Sequence, residues 1–431
     1  PPILNPVNYS LNYKFYKTYR IYKTYKAHKT RKTYRTYRIF CYFCALNINY
    51  PAMKFIVPGK ALYACTSAVS KIINAKNALT ILNNFKLTLQ DETLTVTASD
   101  GENFLEGRIP VGGVEGSGSV CVDAKRLVEL LRELPDVGIS FVVDPDMNYA
   151  ITVEYANGEF KFMGFDGDEF PEADSQPEAG EAAPIDFTIS SGSLIRGIDN
   201  TLFAVGSDEL RPQMTGILLD IFEEEFVFAA TDTRKLVKFT DKAIKPGARG
   251  SFILPTKSAV VLKNVFAKES EIRISMREKG ITFDSDGFTF NSRLIKGRFP
   301  DYNRVIPQNN PYTLTVDRPT LQSAVRRIGF FGNTDNGLIR FKLEQGRMIL
   351  KACENGYNSS AWESVACDYE GKDMVIGFSG PYTSEILATI RSNDVVMELC
   401  DPSRPGLFKP SENEDDTELI MLLMPMLVAE F

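Results

Sequence analysis

The sequence predicts an α+β protein of three similar domains, each a tandem of two β-α-β-β-β units. Three observations carry this. A segment pattern recurs six times at intervals of 62 to 67 residues. A helix-starting residue holds the same place in each copy, and alternating apolar runs follow each helical stretch.

The six segments begin at Phe55, Val120, Phe187, Phe252, Leu314 and Ile376. Three residues into each stands Pro58, Asp123, Ser190, Pro255, Asp317 or Ser379. Asp and Ser accept hydrogen bonds from the free N–H groups of a helix start, and Pro fits its first turn. Seven residues in, Leu62, Leu127, Leu194, Ala259, Leu321 or Thr383 opens an apolar face. In the first copy that face continues through Cys65, Val69 and Ile72 at helical spacing. Strand pairs follow, as in Phe85–Leu89 with Leu94–Thr97, Ile217–Ile221 with Phe226–Ala230, and Leu338–Leu343 with Met348–Ala352. Asn157-Gly158 and Gln345-Gly346 are turn signals. The apolar run Leu419–Val428 reads as a buried strand, because ten residues are half a membrane span.

A second level of repetition pairs the units. Ala98-Ser99-Asp100 recurs as Ala230-Thr231-Asp232 and as Ala352-Cys353-Glu354, and Phe170-Pro171-Glu172 recurs as Phe299-Pro300-Asp301. An acidic linker, Asp166–Pro184, and a second break near Pro307–Pro311 give domains at 53–175, 184–309 and 310–431.

Residues 1–52 are unlike the rest. They hold ten of the 49 Lys and Arg, no Asp or Glu, ten of the 18 Tyr and the only His. Tyr13, Tyr16, Tyr19, Tyr22 and Tyr25 repeat every third residue, a period that no globular element buries. This stretch reads either as a nucleic-acid arm or as a disordered, even non-native, extension, with Met53 as the natural start. Cys41 and Cys44 form a CxxC with no second pair, so no zinc site is expected. The remainder, 53–431, carries 39 basic and 55 acidic residues and no histidine. That excludes Ser-His-Asp and Cys-His catalysts and His-ligated metals there. Its five scattered Cys suit a reducing cytoplasm, so a cytoplasmic protein is expected.

Charge is not spread evenly. The helical segments 59–73, 124–134, 191–205, 256–268, 318–330 and 380–392 hold 13 basic and four acidic residues. The other 299 residues of the body hold 26 basic and 51 acidic. Six related helices of one sign point to a shared polyanion-facing surface. Arranged about an axis, they would line a hole with the sheets outside. Such a hole suits double-stranded DNA held by topology and by salt-sensitive phosphate contacts that carry no sequence information.

At this point the sequence resembles the bacterial DNA polymerase III β subunit, the sliding-clamp family. The resemblance spans nearly all of 53–431. It rests on Met53-Lys54-Phe55, Leu79-Thr80-Ile81-Leu82, the run from Gly297-Arg298-Phe299-Pro300-Asp301-Tyr302 to Pro307, and Met424-Pro425-Met426. It implies the DNA-clamp fold and a head-to-tail homodimer that encircles duplex DNA. It also implies a non-catalytic processivity role in DNA replication, no cofactor and no membrane. Polymerase, clamp loader and repair proteins would dock short peptides in a cleft between the second and third domains.

Carried over by position, the peptide cleft comprises Met214, Thr231, Thr233, Arg234, Lys235, Leu236, Pro300, Arg304, Val305, Tyr382, Met424, Pro425 and Met426. Met, Leu and Pro offer an adaptable apolar pocket, and Arg304 can pair with a peptide carboxylate. Two departures stand out: Thr233-Arg234-Lys235 replaces the usual Gly-His-Arg, and the chain ends Leu427-Val428-Ala429-Glu430-Phe431. Expected DNA contacts are Lys76, Arg196, Arg211, Gln213 and Lys257. Phe160 and Phe162 on a strand, and Phe330 and Phe331 at a helix end, are candidates for the dimer interface; spacing alone equally allows a core role.

A rival class is a carboxylate- or metal-dependent hydrolase built on Asp284 with Asp286, or Asp166 with Asp168. Those pairs lie in turn or linker sequence without a converging nucleophile. No GxxxxGK[ST] loop is present, so ring opening would need a separate loader.

Overall fold

The computed structural model describes residues 53–74, 77, 79–173, 183–278, 280–332, 337–354 and 359–428. The Tyr-rich stretch, with Cys41 and Cys44, lies outside them. Six helices are labelled α1 (Gly59–Val69), α2 (Ala124–Glu133), α3 (Ser191–Thr201), α4 (Thr256–Val265), α5 (Arg318–Gly329) and α6 (Gly380–Thr389).

The six repeat positions are the six N-caps. Asp123, Ser190 and Asp317 accept from the N–H of Arg126, Ser193 and Thr320. Pro58 and Pro255 stand at the N-cap itself rather than inside the first turn, so they offer no side-chain acceptor. In α1 the gap is filled from elsewhere, Gly59 N–H donating to Val137 O at 2.9 Å. One turn on, Leu62, Leu127, Leu194, Ala259, Leu321 and Thr383 are all fully buried. Thr383 is tolerated there because its hydroxyl donates to Ser379 O at 2.7 Å.

Among the described residues, the strands form four antiparallel sheets. Sheet 1 runs Gly112–Gly116, Met53–Pro58, Gly138–Asp144, Ala150–Tyr155, Gly158–Met163 in spatial order. Sheet 2 has nine strands: Phe165–Asp166, Gly118–Asp123, Asn84–Gln90, Thr93–Ser99 and Phe104–Pro110 join Phe288–Arg293, Gly280–Asp284, Glu271–Met276 and Ile185–Ser190. Sheet 3 also has nine: Gly250–Pro255, Gly216–Ile221, Phe226–Thr231 and Lys235–Asp241 join Thr417–Leu423, Gly406–Pro410, Asp394–Leu399, Tyr312–Asp317 and Asp368–Tyr369. Sheet 4 is Ser359–Ala366, Arg347–Glu354, Leu338–Glu344, Met374–Ser379. Sheets 2 and 3 thus cross from one repeat pair to the next, through Phe104–Pro110 against Phe288–Arg293 and Lys235–Asp241 against Thr417–Leu423.

Helices pack in pairs on these sheets, α1 with α2, α3 with α4, α5 with α6, and α1 also meets α4 across the first junction. Their shared apolar layer is one continuous core. Close approach needs glycine at two places. A Cβ on Gly107 would meet the Cys65 sulfur of α1, and one on Gly197 in α3 would lie 2.5 Å from the Phe228 ring.

Two boundaries differ from the sequence reading. The segment from Asp166 is not yet linker: Phe165–Asp166 pairs with Val120 and Cys121, and Phe170 is buried. Phe170 joins Leu82, Phe104 and Cys121 in a small cluster that composition alone hides. Likewise the strand at Leu419 ends at Leu423, and Leu427 is fully exposed, because Met426 leaves to bridge Gly377.

Candidate functional site: a cleft at the second junction

At the second junction a cavity of about 320 Å³ is lined by Val205, Gly206, Ser207, Asp208, Arg211, Met214, Asp232, Arg234, Lys235 and Tyr382. Four expected cleft residues, Met214, Arg234, Lys235 and Tyr382, therefore share one wall system. The turn Thr231–Lys235 builds one side. Thr231 donates its hydroxyl to Lys235 O at 2.8 Å, and Asp232 accepts from the N–H of both Arg234 and Lys235 at 2.8 Å.

Lys235 is buried at the centre of the site. Its Nζ lies 2.5 Å from Glu385 of α6, 3.8 Å from Asp232, and 4.3 Å from the centre of the Tyr382 ring. The ammonium thus joins the middle repeat pair to the last one through charge and ring face. Arg234 is exposed, and among the described residues it has no acidic partner. Its carbonyl accepts from Met424 N–H at 2.8 Å, which ties the C-terminal segment to the cavity wall. Met426 N–H donates to Gly377 O at 2.8 Å, leaving Pro425 between two anchors and Met424 partly exposed.

Pro300, Arg304 and Val305 do not line the cavity. They belong to the segment around a one-turn helix, Tyr302–Val305, that covers the outer face of sheet 3. Beneath it Leu236, Leu218, Leu407 and Leu422 pack with Phe299, Tyr302 and Ile306. Tyr302 donates its hydroxyl to Asp220 at 2.7 Å, and burial followed by that bond pushes the phenol pKa up. Arg304 is held by Asp301 at 3.0 Å, and Val305 is exposed.

The sequence does not mark Val205–Asp208 as a wall of the site, and it places Arg211 among the DNA contacts. Gly206-Ser207-Asp208 is a turn signal, but a turn signal does not say which surface it faces. Arg211 is turned to this cavity by Asp208, 2.8 Å away, whose carboxyl it holds below the usual range.

Thr233 stands at φ 77°, where a β-branched residue is strained. Thr233→Gly is expected to raise stability by about 1 kcal/mol, the relieved strain exceeding the added chain entropy. Urea unfolding of the two proteins measures this; a less stable glycine variant would show that the turn is unstrained.

The basic residues of the six helical segments divide sharply. Lys60, Lys125, Arg132, Arg196, Lys257, Lys263, Arg327 and Arg391 are ion-paired. Arg318 bonds Ser392 O at 2.8 Å. Lys71, Arg126, Lys268 and Arg326 are exposed, with no ion pair among the described residues. Of the expected DNA contacts, Arg196 binds Glu414 at 2.9 Å across the second junction. Lys257 binds Asp100 at 2.5 Å across the first. Gln213 is half-buried in the turn Pro212–Met214, and Lys76 lies outside the described residues.

Burial alone would push the Asp100 carboxyl up, but Lys257 and the N–H groups of Asn103 and Glu102 bring it below its ordinary value. The pair's stabilisation is therefore complete above about pH 4 and is lost as pH falls through the lowered value. Asp100→Asn is expected to cost about 1–2 kcal/mol at neutral pH, with the gap to the parent closing in acid. Melting curves across pH measure this; a gap independent of pH would remove the ion pair as its cause.

The rival carboxylates have structural partners. Asp284 binds Arg108 and the Thr289 hydroxyl, and Asp166 caps a turn by accepting from Asp168 N–H. Among the described residues no three His, Cys, Asp or Glu stand close enough to hold a metal, and no helix is long and apolar enough to cross a membrane.

Among the described residues, the interface candidates fall at two sheet edges without a further strand. Phe160 and Phe162 lie half-buried on Gly158–Met163, the last strand of sheet 1. Phe330 is 85% exposed and Phe331 43% at the end of α5, which packs on Ser359–Ala366, the last strand of sheet 4.

Comparison with known proteins gives one answer throughout. Family profiles for the DNA polymerase III beta subunit match in order: the N-terminal domain at 53–174, the central domain at 188–301 and the C-terminal domain at 303–426. The beta sliding clamp of Pseudomonas aeruginosa is 27% identical over 372 residues, covering 86% of this chain and 99% of that protein. That of Vibrio cholerae is 27% identical over 377 residues, covering 87% of this chain and all of that protein. A crystal structure of the Pseudomonas aeruginosa clamp bound to griselimycin has a TM-score of 0.82 at 27% identity, covering 88% of this chain and 100% of its own. The chain belongs to the DNA polymerase III beta subunit family, the bacterial β sliding clamps.

Proposed function

We propose that this chain, a processivity clamp of DNA polymerase III, works as a head-to-tail homodimer closed around duplex DNA. The family role is non-catalytic. One observation supports the ring above all others. At each internal junction a half-sheet of five strands meets one of four, giving nine. Among the described residues the two unjoined sheets also have five strands and four, each ending in an edge strand without a further partner. A bare edge invites a further strand, and only closure removes it. A second copy supplies the missing half for both edges.

The domains in this reading are 53–175, 184–309 and 310–431; the family matches, 53–174, 188–301 and 303–426, support three domains but put 303–309 with the third. Phosphates are met by Lys71, Arg126, Lys268 and Arg326, with Arg196 exchanging Glu414 for phosphate and Lys257 offering the N–H donors that Asp100 leaves free. The partly exposed Arg196–Glu414 pair is weak enough for such exchange, about 0–1 kcal/mol. Polymerase, clamp loader and repair proteins dock peptides at the second-junction cleft, with Met214, Tyr382 and Met424 giving apolar grip and Arg234 a free charge.

The test is retention on DNA. Loaded protein is expected to remain on nicked circles and to leave when the circle is linearised. Equal retention on circles and free-ended duplexes would rule out topological holding.

A further inference from the structure

The two internal junctions fix a residue register for the third. In the first half of each repeat pair, Ala98, Ala230 and Ala352 are equivalent positions. Across the next turn they face Leu105, Val237 and Ala361. In the second half, Phe141, Ile274 and Met397 face the repeat starts Phe55, Phe187 and Leu314. Moving outward, these face Val153, Phe283 and Phe408, and those in turn face Phe160, Phe290 and Met421. At the first junction Leu105 stands opposite Phe290, and at the second Val237 stands opposite Met421. Both junctions obey one rule, so the third pair is Ala361 with Phe160. A small side chain then faces a large one.

Antiparallel pairing next sets Trp362 opposite Glu159, with Lys161 one diagonal step away. Trp362 is the only tryptophan of the chain and is 71% exposed. Its equivalent at the second junction, Lys238, stands opposite Ile420 and reaches over the Tyr302 ring at 5.8 Å, so this is the face away from the helices. Glu159 and Lys161 are exposed in the single chain and paired at 2.8 Å.

We propose that Trp362 packs across the third junction onto the Lys161–Glu159 pair of a second copy, in the register that sets Ala361 against Phe160. The indole face meets the ammonium and covers the lysine stem, so an exposed ring becomes a buried anchor. This rests on the homodimer reading above.

Directly opposite residues have Cα atoms about 4.5–5.5 Å apart, within disulfide reach. The double variant Glu159→Cys with Trp362→Cys is expected to give an oxidised, covalent dimer, and Glu159→Cys with Ser364→Cys much less. A stronger cross-link from the second variant would overturn the register while leaving the dimer. Trp362 emission in the parent protein should shift to the blue as concentration drives monomer to dimer, and Trp362→Ala should weaken the dimer about tenfold or more. Emission unchanged through an association seen by sedimentation would overturn the tryptophan contact alone. Absence of any dimer by sedimentation would overturn the homodimer reading as well.

Discussion

A chain carrying Phe330→Asp and Phe331→Asp is expected to sediment as a monomer and to be lost from circular DNA. The two rings stand at the end of α5, beside the bare edge of sheet 4, and are exposed in the single chain. In the ring they would be buried at the join. Replacing them removes apolar area and puts two carboxylates in its place, a cost of about 4 kcal/mol, or roughly a thousandfold in dimer affinity. Monomer stability at high dilution should move by only about 0.5 kcal/mol, because neither ring belongs to the core. A doubly substituted protein that still sediments as a dimer would place the join elsewhere.

Removing Met424–Phe431 is expected to abolish peptide docking and leave the dimer intact. The deletion takes away Met424 and Pro425 beside the cavity and the two backbone bonds that hold them, to Arg234 O and Gly377 O. Peptide affinity should fall at least a hundredfold, about 3 kcal/mol, if Met424 is an anchor. Fluorescence polarisation with a clamp-binding peptide reads this, and sedimentation reads the dimer. Full polymerase stimulation by the truncated chain would sink the cleft assignment.

Much of the fold is legible because it rests on local chemistry. A residue such as Asp123 or Ser190 accepts from N–H groups three positions on, and Leu62, Cys65 and Val69 fall on one helix face by spacing alone. The site is less legible. Thr231, Asp232 and Lys235 form a local turn that the sequence marks, whereas Tyr382 and Glu385 reach Lys235 from about 150 residues away. Nothing local announces that meeting. The Val205–Asp208 wall is a turn that the sequence marks without saying which surface it faces, and Arg211 follows Asp208 three residues away.

Charge shows the division most clearly. By itself the sequence determined the repeats, the helix starts, the buried faces and the excess of positive charge on six related helices. Only the tertiary structure decided which of those charges are free. Asp100 takes Lys257, Glu414 takes Arg196, and Lys71, Arg126, Lys268 and Arg326 are left exposed. Helix formation depends on neighbours within a few residues, but pairs such as Lys257–Asp100 and Arg196–Glu414 depend on folded distance, which the chain sets only when its sheets join.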